Sequence, residues 1–170
     1  MTGAKARLAE LGITLPAVAA PVAAYVPAVQ TGPLVYTSGQ LPFVDGALPR
    51  VGKVGDGVSA DEAVADARQC ALNALAAIDA LVGLDAVTRI VKVVGFVASA
   101  PGFTGQPGVV NGASELFGEV FGDAGVHARS AVGVAELPLG APVEVEVIAE
   151  IAAAGPTIRL AGPGQPGIRA

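Results

Sequence analysis

The spacing of apolar residues predicts two long helices. From Ser59 onward, apolar residues recur every three or four positions, which is the period of a helix with one buried face. Ser59 and Glu62 have the spacing of a capping box at the start of this helix. Gly83 follows its last predicted residue, Val82, at a position that favours glycine. The segment Val109–Phe121 has the same apolar period and is also followed by a glycine, so we predict a second helix there.

Alternation with a period of two and short β-branched runs predict the strands. The clearest case is Val143–Ile151, where apolar residues occupy every second position and Glu144 and Glu146 lie on the other face. Asp45-Gly46 is a turn signal between two shorter strands. The predicted strands are Ala24–Val29, Leu34–Gly39, Gln40–Val44, Ala47–Val51, Val87–Ala98, Ala128–Ala135 and Val143–Ile151, with a short helix over Thr2–Leu11.

The order of these elements predicts an α+β fold with a mixed β-sheet and two helices on one face. The other face would also carry apolar residues, so a barrel or a sheet-against-sheet oligomer is needed to cover it. We predict a single domain over residues 1–152. From residue 153 to residue 170 Gly and Pro are frequent and no periodicity is left, which predicts a disordered tail.

The composition narrows the classes of function. One Cys and one His among the 170 residues exclude an intrachain disulfide framework and a His-rich zinc site, and we expect neither a metal nor a cofactor. A net charge of −5 with scattered basic residues makes nucleic acid an unexpected partner. No apolar stretch approaches the ~20 residues that span a bilayer, so no membrane partner is expected. Lys5 and Arg7 precede an apolar stretch, Ala17–Ala28, but prolines interrupt it, and we predict a cytoplasmic protein rather than a secretory signal.

Arg129 is the strongest candidate for ligand binding, because it lies at the start of a strand of small and apolar residues. An Arg is rarely buried without a partner, and its planar guanidinium suits a carboxylate. That carboxylate could belong to a ligand, or to Glu144 or Glu146 on the next strand, and the sequence leaves both open. Glu144 lies nearest the Pro-rich turn, where it could orient a water as a general acid or base, while Glu146 and Glu150 fit a solvated face.

Several other residues allow both a functional and a structural interpretation. Ser38 and Gly39 could cradle a small anion or simply end a strand. Asn111 could hold a ligand or cap the second helix. His127 is most simply a turn residue, and Cys70 a small buried residue of the first long helix.

Taken in order along the chain, these motifs resemble the Rid family (reactive intermediate deaminase, also called the YjgF or L-PSP-type endoribonuclease family). The resemblance covers residues 24–151, and the combination of motifs is much more specific than any one of them. The matching runs are Tyr36–Pro42, Val110-Asn111-Gly112, Ala128-Arg129-Ser130, Leu137-Pro138 and Val143–Ala149.

This resemblance implies a chorismate-mutase-like fold and a homotrimer, with sheets that form a central barrel and clefts between subunits. It also implies hydrolytic deamination of small 2-imino acids, or their enamine tautomers, to 2-keto acids and ammonia without a cofactor. Arg129 would bind the carboxylate of the substrate, and Glu144 would orient the attacking water. The residues implied to line the substrate-binding site are Tyr25, Ser38, Gly39, Asn111 and Arg129.

The sequence departs from the family pattern in three places. Ala131 stands where many members carry Cys, Pro27 stands where Gln is common, and Ser99–Val110 is longer and richer in Gly and Pro. A longer loop is expected to change the shape of the cleft. Two other functions therefore stay open: a non-catalytic module that binds a carboxylate metabolite, and an endoribonuclease, against which the acidic charge argues.

Overall fold

The computed structural model describes residues 3–18, 24–152 and 159–160, and both long predicted helices are present in it. The helices are α1 (Ala4–Glu10), α2 (Ala60–Val82) and α3 (Gln106–Phe121). The strands are β1 (Ala28–Thr31), β2 (Leu34–Thr37), β3 (Lys53–Val54), β4 (Gly57–Val58), β5 (Val87–Ala98), β6 (Ala128–Val134), β7 (Val143–Ile151) and β8 (Arg159–Leu160).

The predicted capping box begins α2. Ser59 Oγ accepts a hydrogen bond from the backbone N–H of Glu62 at 3.3 Å, and the Glu62 carboxylate accepts from the Ser59 N–H at 2.9 Å. The helix ends at Gly83, whose φ of 80° is easily adopted by glycine alone. Cys70 is fully buried on this helix, and burial raises the pKa of its thiol well above its ordinary value. The thiol is therefore a core residue, as the sequence predicts.

The main sheet is mixed, as predicted. Within the described residues its strand order is β6-β5-β7-β2-β1-β8, with β5 and β6 parallel and the other neighbours antiparallel. Helix α3 connects the parallel pair, because parallel strands need a crossover. Helices α2 and α3 pack on one face of the sheet, and the hydrophobic core lies between the two layers. The α+β fold with helices on one face is confirmed.

The alternation predicted for β7 is confirmed. Val143, Val145 and Val147 are buried in the core beneath the helices. Glu144 and Glu146 are half-buried on the opposite face of the sheet, which we call the open face. This parity decides which side of the molecule each candidate residue can reach.

A close approach between the two long helices fixes the position of α3. A β-carbon at Gly112 would overlap the backbone carbonyl oxygen of Val64 in α2. Only glycine allows the helices to pack this closely, so Gly112 sets where its neighbour Asn111 lies.

Two of the predicted N-terminal strands are wrong in extent. The first strand is Ala28–Thr31 rather than Ala24–Val29, and the second is Leu34–Thr37 rather than Leu34–Gly39. Pro27 has no N–H to donate to a neighbouring strand, and the Ser38 hydroxyl donates to the carbonyl of Val26 beyond the end of the ladder. The turn at Asp45-Gly46 is present, since Val44 and Ala47 exchange backbone hydrogen bonds of 2.9 and 3.0 Å across it.

The strands predicted on either side of that turn do not form. The carbonyls of Leu41 and Phe43 accept instead from the side chain of Asn73 in α2, at 2.8 and 3.1 Å. Residues 53–58, which no predicted strand includes, contain β3 and β4, and these two short strands pair in parallel.

Two residues of the segment predicted as a tail form a short strand. Arg159–Leu160 forms β8, which pairs antiparallel with Val29 and Gln30 of β1. These residues lie in a short run without Gly or Pro, and they cover the edge of β1, whose backbone groups would otherwise be unpaired. Residues 153–158 and 161–170 lie outside the described residues, as do residues 19–23 of the apolar stretch Ala17–Ala28, and the domain boundary at residue 152 stays a prediction.

Candidate functional site

Arg129 is held by neutral oxygen atoms of α3 rather than by a carboxylate. Its Nη1 donates to Asn111 Oδ1 at 2.8 Å and to Ser114 Oγ at 3.1 Å, and its Nη2 donates to the carbonyl of Pro107 at 3.2 Å. Positions 107, 111 and 114 follow one ridge of the helix, so a single face of α3 supplies all three acceptors.

The alternative of an ion pair between Arg129 and Glu144 or Glu146 is wrong. Within residues 3–18, 24–152 and 159–160, the ion pairs are formed by other basic residues. The reason is the register of the sheet. Arg129 pairs with the core residue Val93 of β5 and so lies on the helix side, whereas the two glutamates lie on the open face.

The hydrogen bonds of Arg129 leave one edge of its guanidinium for a ligand. Both Nη1 hydrogens and one Nη2 hydrogen are occupied, so the Nε–H and the second Nη2–H have no acceptor among the described residues. Nε and Nη2 lie on the same edge of the planar group, which is one of the edges a carboxylate binds with two parallel hydrogen bonds. The charge is half-buried and forms no ion pair with any described residue, and it therefore favours an anion.

Asn111 lies within α3 and does not cap it. The helix begins at Gln106, not at Val109 as predicted, which places Asn111 in the second turn. The Gln106 side chain donates to Ser99 Oγ at 3.1 Å and to the Phe103 carbonyl at 2.7 Å, and these bonds fold the long loop back onto the start of α3.

Sequence reasoning missed Ser114 as a functional candidate and interpreted His127 only as a turn residue. Ser114 Oγ lies 2.9 Å from His127 Nε2, and His127 Nδ1 lies 2.6 Å from the carbonyl of Gly125. Two sequence signals point to them: Asn111 and Ser114 are three residues apart on a helix, and His127 and Arg129 are two apart along an extended chain.

A second group of candidate residues surrounds Glu144 on the open face. Gly39 lies so close to Glu144 that a β-carbon at position 39 would overlap the carboxyl oxygen Oε1. Burial raises the pKa of Glu144 above its usual value, and the neighbouring charge of Glu146 raises it further. The group can thus carry a proton at a pH where an exposed glutamate has lost it.

A bulge at the end of β2 brings Gly39 to this position. Tyr36 pairs with Ile148, but Gln40 pairs with Val145, so one extra residue is accommodated between the two pairs. Thr37 Oγ1 accepts the hydrogen bond of the Val147 N–H at 3.0 Å and so replaces a missing rung of the ladder.

Ser38 lies in the bulge and is hydrogen-bonded to the segment that contains Tyr25. Ser38 Oγ donates to the carbonyl of Val26 at 2.6 Å, so its proton is bound to the backbone and its lone pairs are left to accept. Tyr25 precedes Val26 in the chain, and its side chain is largely exposed. The binding roles implied for Ser38, Gly39 and Tyr25 stay predictions.

Within one chain the predicted site residues thus form two separate groups. Arg129 and Asn111 lie on the helix side of the edge strand β6. Ser38, Gly39 and Glu144 lie near β7, two strands away or about 10 Å across the sheet, and Glu144 points to the open face.

Among the described residues, no group of three His, Cys, Asp or Glu side chains could hold a metal ion. In the same part of the chain, no helix is both long and apolar enough to cross a membrane.

Comparison with known proteins gives a family. Residues 16–151 match the family model described as Endoribonuclease L-PSP. Protein TCP17 of Trypanosoma cruzi is 48% identical over 148 residues, which cover 86% of this chain and 92% of that protein.

Solved structures resemble this chain as well. Atu1372 of Agrobacterium tumefaciens, described as of unknown function, is 44% identical with a TM-score of 0.79, over 87% of this chain and 91% of its own. TdcF of E. coli, solved with bound serine, is 26% identical with a TM-score of 0.59, over 82% of this chain and 96% of its own.

Proposed function

The chain belongs to the endoribonuclease L-PSP family, also known as the YjgF or Rid family, and from this membership we propose that it is a cofactor-free deaminase. Its substrates would be small 2-imino acids or their enamine tautomers, and its products 2-keto acids and ammonia. The observation that carries the proposal is the Arg129 guanidinium, which is held by neutral acceptors and keeps an edge free for a carboxylate. TdcF, which was solved with serine, shows that a relative binds a small carboxylate-bearing molecule.

The proposed reaction needs alignment and one proton relay. Arg129 binds the carboxylate and places the C=N carbon in reach of a water molecule. Glu144 takes a proton from that water as its oxygen bonds to the carbon, and returns it to the nitrogen. The resulting carbinolamine carries a hydroxyl and an amino group, and Glu144 moves the hydroxyl proton to the amino nitrogen in a second transfer. The C–N bond then breaks, ammonia leaves, and the carbonyl group of the keto acid remains. The raised pKa of Glu144 suits a carboxyl that must alternate between its two protonation states.

This mechanism requires a second copy of the chain, because Arg129 and Glu144 do not meet within one. We expect a homotrimer in which the open faces form a barrel and each cleft combines Arg129 and Asn111 of one subunit with residues of the other group from its neighbour. Large apolar side chains on the open face support this assembly: Tyr36 is 37% exposed and Val132 44% exposed. The cytoplasmic location stays a prediction.

Two rival functions remain distinguishable by experiment. A module that only binds a carboxylate metabolite would use the same Arg129 edge without turnover. Endoribonuclease activity is suggested by the name of the family, but the net charge of −5 opposes binding of a polyanion.

The decisive experiment measures ammonia release from imino acids generated in the assay by an amino-acid oxidase, scored against the uncatalysed rate. We expect catalytic acceleration with small aliphatic imino acids. Binding of the product keto acid without acceleration would support the binding module instead. Cleavage of single-stranded RNA without any acceleration of imine hydrolysis would support the ribonuclease and overturn the deaminase.

A further inference from the structure

A continuous hydrogen-bond chain runs from the backbone of the turn before β6 to Arg129. It passes from the Gly125 carbonyl to His127, from His127 to Ser114, and from Ser114 to Arg129. We propose that Ser114 and His127 are positioning residues, which orient the Arg129 guanidinium for a carboxylate. The inference rests on the proposed function only in taking Arg129 as the carboxylate-binding group.

The direction of each hydrogen bond in the chain follows from chemistry. A carbonyl oxygen can only accept, so at 2.6 Å from Gly125 the Nδ1 of His127 must carry a proton and donate it. In the neutral ring Nε2 is then an acceptor, and the hydroxyl of Ser114 donates to it at 2.9 Å. The lone pairs of Ser114 Oγ are therefore turned to Arg129 Nη1, which donates at 3.1 Å.

The packing around the His127 ring fixes its position, so that Nδ1 stays next to the Gly125 carbonyl. The ring meets the Phe117 ring edge to face, with centroids 5.8 Å apart and an interplanar angle of 88°. Gly125 packs against α3 so tightly that a β-carbon there would overlap the Phe117 carbonyl. Both the ring and the carbonyl it donates to are thus fixed against the same turn of the helix.

The consequence for Arg129 is a fixed orientation before any ligand binds. An Arg side chain loses considerable rotamer freedom when it is held in one geometry. Asn111 Oδ1 and Ser114 Oγ together occupy both Nη1 hydrogens, which sets the plane of the guanidinium and turns its Nε–Nη2 edge outward. If Ser114 had a free hydroxyl, its proton could point to Arg129 and oppose this arrangement. The His127 acceptor prevents that.

The simpler alternative is that His127 is only an aromatic filler against Phe117. His127→Phe and His127→Gln separate the two roles. His127→Phe keeps an aromatic ring for Phe117 but has no acceptor for Ser114. His127→Gln loses the ring but can present its amide oxygen to the hydroxyl. Ser114→Ala removes the middle of the chain by an independent route.

The experiment measures the dissociation constant of pyruvate, a simple 2-keto acid, together with KM and kcat for imine hydrolysis and the melting temperature of each variant. Ser130→Ala is the matched control, since Ser130 follows Arg129 by one residue in β6 but accepts from Lys92 Nζ at 2.9 Å and lies outside the chain. Arg129→Ala defines the complete loss of the carboxylate contact.

We expect Ser114→Ala and His127→Phe to weaken pyruvate binding and to raise KM by roughly tenfold, the scale of one hydrogen bond to a charged group. His127→Gln should stay within about threefold of the parent protein, and Ser130→Ala should be unchanged.

Full affinity in His127→Phe together with weak binding in His127→Gln would assign His127 to packing and overturn the inference. If both Ser114→Ala and His127→Phe bind as the parent does while Arg129→Ala fails to bind, the positioning role is wrong and the proposed function stands. Normal binding by Arg129→Ala would overturn the proposed function itself.

Discussion

Gly39 packs directly against the carboxyl group of Glu144, with no room for a β-carbon between them. The contact forms because a bulge at the end of β2 inserts one residue between the pairs Tyr36–Ile148 and Gln40–Val145. The smallest possible substitution at position 39, Gly to Ala, therefore acts on the proposed proton-transfer group. It does so without altering that group chemically.

Gly39→Ala should lower deaminase activity by at least about tenfold, because the added methyl displaces the Glu144 carboxyl from its place. Gly118→Ala is the matched control: Gly118 lies in α3, and a β-carbon there would meet nothing within 4 Å. That change should keep full activity and stabilise the protein by about 0.5–1 kcal/mol, as expected for Gly to Ala in a helix. The measurements are ammonia release and thermal unfolding. Unchanged activity in Gly39→Ala would show that Glu144 does not transfer the proton in the reaction.

Glu144→Gln should stabilise the protein at neutral pH and inactivate it. The pKa of Glu144 is raised in the folded state. At a pH above that pKa, the ionised carboxylate therefore lowers the free energy of unfolding. The stabilising effect of Gln should therefore be present at neutral pH and disappear as the pH falls through the raised pKa, where the carboxyl itself becomes neutral. Melting temperatures at several pH values test the first claim, and ammonia release tests the second. A lower melting temperature for Glu144→Gln at neutral pH would contradict it.

The sequence correctly predicts those elements whose local residue pattern and final burial favour the same secondary structure. The capping box at Ser59 and the alternation of β7 are local patterns, and both are present in the structure. The strands predicted around Asp45-Gly46 fail because Asn73 in α2 bonds the carbonyls of Leu41 and Phe43. A side chain some thirty residues away in sequence decides that outcome, and no local pattern records it.

The sequence predicts which residue types form the site but not which of them hydrogen-bond to one another. Arg129 and Asn111 belong to matching motifs, yet whether Arg129 meets a glutamate or α3 depends on the face it takes in β6. That face follows from the pairing of Arg129 with Val93 in β5, which depends on the tertiary structure rather than on the local sequence. The one sequence signal for Ser114 is its spacing of three residues from Asn111, and its role emerges only when His127 is folded against the same turn of α3.

Arg50→Leu should destabilise the fold strongly. Arg50 forms an ion pair with Asp66, whose side chain is only 2% exposed and whose Oδ2 has no hydrogen-bond partner among the described residues. Burial raises the pKa of Asp66 even though the Arg50 hydrogen bond opposes it, so this charge depends on its partner. The loss should be about 3 kcal/mol at neutral pH, and smaller in acid where Asp66 can be protonated.

The control for Arg50→Leu is a substitution in an exposed ion pair. Lys53 pairs with Glu136, which is 75% exposed, so Lys53→Met should cost less than ~1 kcal/mol. Chemical denaturation of both variants at two pH values gives the comparison. Equal losses for Arg50→Leu and Lys53→Met would show that burial of Asp66 does not matter to stability.

Val132→Glu should break the proposed trimer. Val132 is 44% exposed on the open face, in register with Phe96, which in turn pairs with Glu144. A charge placed there would be buried in a barrel but solvated in a monomer. The variant should therefore stay folded but no longer form a trimer, and it should lose activity at the same time. Val126→Glu is the control, because Val126 is 69% exposed and lies outside the sheet. Light scattering measures the mass, and a trimeric, active Val132→Glu would rule out the barrel.

Arg129→Ala tests the proposed function directly. The substitution removes a charge-assisted contact of ~1.5–3 kcal/mol to the substrate carboxylate, and with it the alignment of the imine. Activity should fall by at least one to two orders of magnitude, at roughly tenfold per 1.4 kcal/mol.

The fold should survive, because the three acceptors of Arg129 are neutral and no buried carboxylate is left unpaired. Arg129→Lys should restore little, since an ammonium can reach one acceptor of α3 but cannot present the Nε–Nη2 edge. Arg89→Ala, which removes one exposed positive charge from β5, controls for net charge and should remain active. Circular dichroism, trimer mass and ammonia release on the same preparations decide the matter, and undiminished turnover in a folded Arg129→Ala trimer would exclude this site as the place of deamination.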